Sequence, residues 1–266
     1  MNMKEGDILD AIRTDNHFRL INLACTQPVD SHPVDKLAIE YAPLNTPYGC
    51  MIDRGSKITI TSFSNTVDPI GGWWSYYLAK IGGFNYISKE LGSTRPYHSF
   101  YMVKEKYYPN QDIFMSDINQ LLDSEDKWVI NILPASGSLE PEYPEQFHFS
   151  YGAKKGDTSY TDPNITLNDI DTFDNIYSNV KNLLNNKYEL EAEKQTRHNN
   201  ANPAYYARHL DKKVNAITIR VAWSVLCWDT RAIQICQDLA TIINTSINPE
   251  IEEMKLKDFA YEGYKN

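Results

Sequence analysis

Residues 57–63 read KITITSF and residues 68–81 read DPIGGWWSYYLAKI, and the reading of this pair decides the fold. In the first segment Ile58 and Ile60 alternate with Thr59 and Thr61. Alternating β-branched residues form a strand, because they fit a pleated surface. In the second segment Asp68 can accept hydrogen bonds from the first free amides of a helix, and Pro69 is tolerated in its first turn. Trp74, Tyr77, Leu78 and Ile81 then recur at helical spacing. A strand feeding a helix across a short gap is half of a βαβ unit. The same alternation continues along the chain. KWVINIL at 127–133 is apolar enough for a central strand, and 216–227 is a second long apolar strand. Residues 169–197 give the strongest helical pattern, with Ile170, Phe173, Ile176, Tyr177, Val180, Leu183 and Leu184 on one face and Asn168 or Asp169 as cap. Asp229 caps a final helix carrying Ile233, Cys236, Leu239, Ile242 and Ile243. Strands alternating with helices predict an α/β fold. Its central sheet is mixed or mainly parallel, with flanking helices and a long aromatic first helix in the core.

The weaker segments fill in around that frame. Gly82 and Gly83 should break the aromatic helix before 84–91 resumes it. A strand is expected at 99–103, a proline-rich loop at 134–144 and a short helix at 203–213. HNNANP at 198–203 stops the long helix before it. Residues 1–57 read as an extension with an amphipathic helix at 4–13. An irregular stretch follows it, carrying Pro28, Pro33, Pro43 and Pro47. The ligand-binding core is expected at 58–247 and a charged tail at 248–266.

Composition narrows the function. The chain has 266 residues, 42% hydrophobic and 23% charged, enough to bury a core without metal or disulfide staples. The net charge is −9 and no long basic stripe appears, which argues against DNA or RNA as a partner. Lys154–Lys155, Arg197–His198, Arg208–His209 and Lys212–Lys213 are small basic groups, suited at most to one small anion. Cys25, Cys50, Cys227 and Cys236 form no CxxC pair, and the first ten residues lack an apolar signal region. Both point to a reducing, cytoplasmic setting. The most apolar run, 216–228, is interrupted by Arg220 and too short to enter a bilayer directly.

No pattern commits the chain to catalysis. Zinc needs paired His and Cys ligands, and the four cysteines and six histidines offer no such spacing, so neither metal nor cofactor is expected. Ala135-Ser136-Gly137-Ser138 follows a strand but is not the GxSxG elbow of a serine hydrolase. Cys25 or Cys50 could serve as a thiol nucleophile, with no histidine partner assignable. Cys227 and Cys236 sit in apolar contexts and read as core. Glu125-Asp126-Lys127 spells the ExK of metal-dependent nucleases but precedes its strand. Gly71 and Gly72 lie between a strand and a helix without GxGxxG or GK[ST], and still make a corner friendly to anions.

Gly71-Gly72-Trp73-Trp74-Ser75-Tyr76-Tyr77-Leu78 resembles the opening helix of the STING family of cyclic-dinucleotide receptors. KWVINILP at 127–134 is similar to that family's central strand and proline loop. Asn175-Ile176-Tyr177-Ser178-Asn179 is similar to its arginine- and tyrosine-bearing lid. Asn202–Pro203 is similar to its base-flanking pair, and 229–245 to its closing helix. The resemblance spans about residues 65–246. It implies a homodimeric sensor of a small anionic nucleotide, acting in immune or antiphage signalling, with the aromatic helix at the dimer seam. It places Ser75 near the ligand, Tyr177 in the lid, and Asn202 and Pro203 beside the base. Asn175 stands where the family has an arginine, and Lys80 where it has a stacking aromatic. The lid segment reads as a helix here rather than a hairpin. Two phosphodiesters call for cationic donors and purines for flat aromatic faces. Trp74, Tyr76, Tyr206 and Arg197 are therefore added to the expected ligand residues, with Arg197 replacing the missing arginine. Two other readings stand beside this one. One is an enzyme acting on a nucleotide or phosphoester at the sheet's carboxyl edge. The other is an interaction protein without a small ligand.

Overall fold

A computed structural model describes residues 45–63, 69–89, 111–124, 126–135, 146–151, 167–194, 215–222, 225–226 and 230–249. Seven strands form one mixed sheet. In chain order they are β1 (Gly49–Ile52), β2 (Ile58–Phe63), β3 (Asn85–Lys89), β4 (Trp128–Ala135), β5 (Phe147–Tyr151), β6 (Ala192–Lys194) and β7 (Asn215–Ala222). Their order across the sheet is β1-β3-β2-β4-β7-β5-β6. The central strands β3, β2, β4 and β7 are parallel, while β1 and β5 run antiparallel to their inner neighbours. The described helices are α1 (Pro69–Gly82), α2 (Gln111–Leu121), α3 (Ile170–Leu183) and α4 (Thr230–Ile247), with a π-helical turn at Leu184–Tyr188.

Strand alternation divides the core in two. Ile58, Ile60, Trp128, Ile130, Ile132, Ile217, Ile219, Val221, Phe147 and Phe149 point to one face, where they pack with residues of α1, α3 and α4. Val129, Ile87 and Ala216 point to the other, beneath Phe114, Ile118 and Leu121 of α2. A single hand of crossover requires this division. From β2 to β3 the chain steps one way across the sheet through α1. From β3 to β4 it steps back past β2, so α2 must lie on the opposite face. Within the first layer α4 packs against both α1 and α3. Trp74 Nε1 donates to the Ala232 carbonyl at 3.0 Å, tying α1 to α4.

The α/β class, the central strands and the positions of α1 and α4 match the sequence reading, except that the strand expected over 216–227 ends at Ala222 and residues 225–226 are helical. Several elements differ from it. Residues 84–91 do not resume a helix: Asn85–Lys89 is strand β3, parallel to β2 and buried on both faces. Gly83, at φ 65°, ends α1 and turns the chain into it. The expected irregular stretch before residue 58 contains β1, which pairs with β3 and so belongs to the sheet. The helix expected over 169–197 stops at Leu183, passes through the π-helical turn and gives way to β6. β5 and α2 had no counterpart in the reading, and β4 runs two residues into the expected loop at 134–144. The helix expected at 4–13, the strand at 99–103, the helix at 203–213 and the tail from 250 onward lie outside the described residues.

Candidate functional site

In chain order the parallel strands β2, β3, β4 and β7 lie in the sequence 3-2-4-7, so the chain reverses direction across the sheet between β2 and β4. Loops leaving the carboxyl ends of strands on either side of such a reversal diverge to opposite faces and open a crevice. One row of side chains at that reversal, on the α2 face, is polar. Thr61 of β2 is opposite Asn131 of β4, which is opposite Thr218 of β7, which is opposite Ser150 of β5. The four make one row across four strands, and all are buried. Thr61 Oγ1 donates to Asn131 Oδ1 at 3.2 Å, bridging the reversal itself. Thr218 Oγ1 is buried with no hydrogen-bond partner.

One row nearer the carboxyl edge, Arg220 of β7 is opposite His148 of β5. The Arg220 guanidinium lies 3.3 Å from His148 Nδ1. Arginine only donates, so Nδ1 is the acceptor and the imidazole hydrogen resides on Nε2. His148 is buried and Arg220 half-buried, so the cation is the more accessible of the two. The α2 face is mixed: Thr59 and Asn85 share a row with Val129 and Ala216 near the amino ends, Ile87 continues the row of Thr61, and apolar Leu133 stands beside Arg220. Polar side chains in a sheet centre cost stability unless bonded, and the row from Thr61 to Ser150 is therefore the candidate site.

The opposite, amino edge is bound up structurally. Asn85 Oδ1 accepts from the backbone amides of Arg54 and Ser56, at 2.7 and 3.1 Å. Asn215 Oδ1 accepts from those of Asn168 and Asp169 at 2.8 and 3.0 Å. The ExK-like string lies at this edge too. Asp126 pairs with Lys57 at 3.0 Å and accepts from Ser124. The Ser124 hydroxyl, then Lys57, holds its carboxyl below the usual range. Lys127 meets Asp123 at 3.6 Å. These groups are salt-bridged in pairs at the amino end of the sheet. Among the described residues no group of three or more His, Cys, Asp and Glu is placed to hold a metal.

The residues expected from sequence divide into three groups. Trp74, Ser75 and Tyr76 are buried on α1 within the chain's own core, Tyr76 edge-on to Tyr86 with centroids 5.3 Å apart. Lys80, in the last turn of α1, is half-buried. Asn175 and Tyr177 lie on α3. Asn175 is exposed and accepts from Asn179 at 2.9 Å. Tyr177 stands edge-on to Phe149, its hydroxyl 3.4 Å from the Ala192 carbonyl, with Lys194 4.9 Å from its ring centroid. Since α4 packs against both α1 and α3, the two sets occupy different helices with α4 against each. Arg197, Asn202, Pro203 and Tyr206 lie outside the described residues. The row at the reversal was absent from the expected site. Part of its signal was available: Asn131 interrupts an otherwise apolar β4, and Thr218 and Arg220 fall at alternate positions of β7.

These features define an α/β protein with a buried polar row on the α2 face of its central strands. No family model and no curated relative matches the sequence. One solved structure similar in outline is 5′-methylthioadenosine nucleosidase of Arabidopsis thaliana in apo form. It is 10% identical and covers 76% of this chain and 98% of its own, with a TM-score of 0.30. At that score the likeness carries no argument. Among the described residues no helix is long and apolar enough to cross a membrane.

Proposed function

We propose that this protein binds a small anionic ligand of the nucleotide class at the carboxyl edge of its sheet, as a sensor that leaves the ligand intact. The observation that carries the reading is the polar row spanning the reversal between β2 and β4, with Arg220 one row nearer the edge. Open parallel sheets receive ligands at this place because diverging loops leave room there and helix amino ends point toward it. The start of α1 follows β2 at that edge. Threonine, serine and asparagine give and accept hydrogen bonds without charge, which suits a base or a ribose. Arginine suits a phosphate. The sequence resemblance makes cyclic dinucleotides the first ligands to try and a homodimer the first assembly to look for.

Thermal unfolding with cyclic di- and trinucleotides and ordinary nucleotides tests this reading. A ligand at one hundred times its dissociation constant adds roughly 2.7 kcal/mol. For a chain of this size that raises the midpoint by about 5–10 °C. One nucleotide producing such a shift, recovered unchanged afterwards, is the expected result. A shift accompanied by a product would replace the sensor with an enzyme acting on nucleotides or phosphoesters. No shift across the panel would overturn the reading.

A further inference from the structure

We propose that the turn before β1 guards the edge of the sheet, and that Asn45 keeps this edge closed to strand addition by a second copy of the chain. The proposal does not depend on any ligand. β1 and β6 are the outermost strands, and an outermost strand offers its amides and carbonyls to any extended chain. In an antiparallel pair, alternate residues turn both backbone groups to the same side. Met51 is such a residue of β1, and its groups turn away from β3 toward Asn45. Asn45 Oδ1 accepts from the Met51 amide at 2.9 Å, and Asn45 Nδ2 donates to the Met51 carbonyl at 2.8 Å. A carboxamide carries an acceptor and a donor side by side. It therefore bonds Met51 as the backbone of a neighbouring strand would.

Gly49 faces outward in the same way, and the same turn covers it. Its amide donates to the Thr46 carbonyl and hydroxyl at 3.3 and 3.0 Å. Its carbonyl accepts from the amides of Asn45 and Thr46 at 3.0 and 3.1 Å. The chain thus folds back on its own edge. Tyr48 anchors the fold-back: its ring is buried edge-on to Phe114 of α2, with centroids 5.0 Å apart, and its hydroxyl donates to Asp117. Backbone bonds close the edge at Gly49, and a side chain closes it at Met51. Asn45 is itself exposed, so its amide rather than its packing makes the closure. The two edges of the sheet differ in chemistry. β6, AEK, carries exposed Glu193 and Lys194, whereas β1, GCMI, has no charged side chain to repel a strand. A second copy is the partner such an edge fits. Antiparallel pairing is self-complementary, so a two-fold axis at Met51 lets the residue exchange both bonds with its counterpart.

Sedimentation velocity over a range of concentrations, with residue-resolved amide exchange, tests this on wild type, Asn45→Ala and Asn45→Lys. Both substitutions fall at an exposed position and remove the carboxamide that holds Met51. In both, the Met51 amide should exchange about tenfold faster than in wild type at low concentration. Asn45→Ala leaves an open, uncharged edge, so species larger than wild type should grow with concentration. Asn45→Lys opens the same edge but sets a charge beside it, and should keep the wild-type size. Wild-type size for Asn45→Ala at every concentration would overturn the proposal. Equal growth of large species in both variants would overturn it too, since that would point to lost stability rather than to an open edge. An unchanged Met51 exchange rate would show that Asn45 does not close the edge.

Discussion

Tyr188 shows how much of this molecule's polar chemistry serves cohesion. It lies in the π-helical turn after α3, and its hydroxyl donates to Asp238 of α4 at 2.6 Å. Lys187 reaches the same carboxylate at 2.6 Å, and that bond raises the lysine's pKa. Burial, and then the bond to Asp238, pushes the Tyr188 hydroxyl from 10.0 up to about 12. A group whose proton is held more tightly in the folded state stabilises it fully below the unfolded pKa. Here that contribution is present below pH about 10 and lost as the pH rises to about 12. Tyr188→Phe should therefore flatten the fall in stability across that window, as read by urea midpoints at successive pH values. Some fall should remain, since burial, and then Asp117, raises the Tyr48 hydroxyl as well. An unchanged slope would show that Tyr188 does not carry it. Such residues could not be singled out in the sequence, because Asp238 is fifty positions away and only the packing of α4 on α3 joins them. Trp74 carried the opposite ambiguity. An aromatic at helical spacing fits a pocket, a dimer seam or a core equally well. Its indole bonded to the Ala232 carbonyl puts it in the core.

The elements read best from sequence were those with one strong period. KITITSF and KWVINIL became central strands, and α4 took its expected face, because burial there follows local pattern. The misread element was β3. Phe84, Ile87 and Leu91 fall at helical spacing, yet the strand is buried on both sides and its period of two is hidden by apolar residues at consecutive positions. What fixes the change is the pair of glycines before it. Gly83 adopts φ 65°, and Phe84 N donates to the Ala79 carbonyl at 2.8 Å, closing α1. Gly82 is needed for closeness rather than for its backbone angle. A Cβ there would stand 2.2 Å from the Phe84 ring, and Phe84 is wholly buried. The Gly82 carbonyl also accepts from Asn244 of α4 at 3.0 Å. Gly82→Ala should force the ring out of its place and cost about 1–3 kcal/mol in chemical denaturation. A loss within a few tenths would mean the ring relocates freely and the α1–β3 corner is looser than its packing implies. β6 and the end of α3 escaped the reading because a π-helical turn keeps helical spacing while changing the axis, so the apolar face continues past the helix proper.

At the scale of the whole molecule two placements of the ligand compete, and they predict different footprints. The resemblance assembled its site from α1 and α3, with residues that now lie in the core, on an outer helix or beyond the described residues. The sheet order places its site at the carboxyl ends of β2, β4 and β7. Only the second follows from how the chain reverses between β2 and β4, a feature set by pairings between segments seventy residues apart and invisible to local pattern. Hydrogen exchange with and without the most stabilising nucleotide separates the two. Ligand contact should slow backbone exchange locally, where opening is suppressed. Protection is expected in peptides covering 61–63, 133–135 and 218–222. The amino edge around Asn85 and Asn215 should change little, since its amides already donate within the fold. Protection concentrated at 170–194 would instead favour the site built from α3 with Asn175 and Tyr177. It would then be the crevice, not the resemblance, that had to be given up.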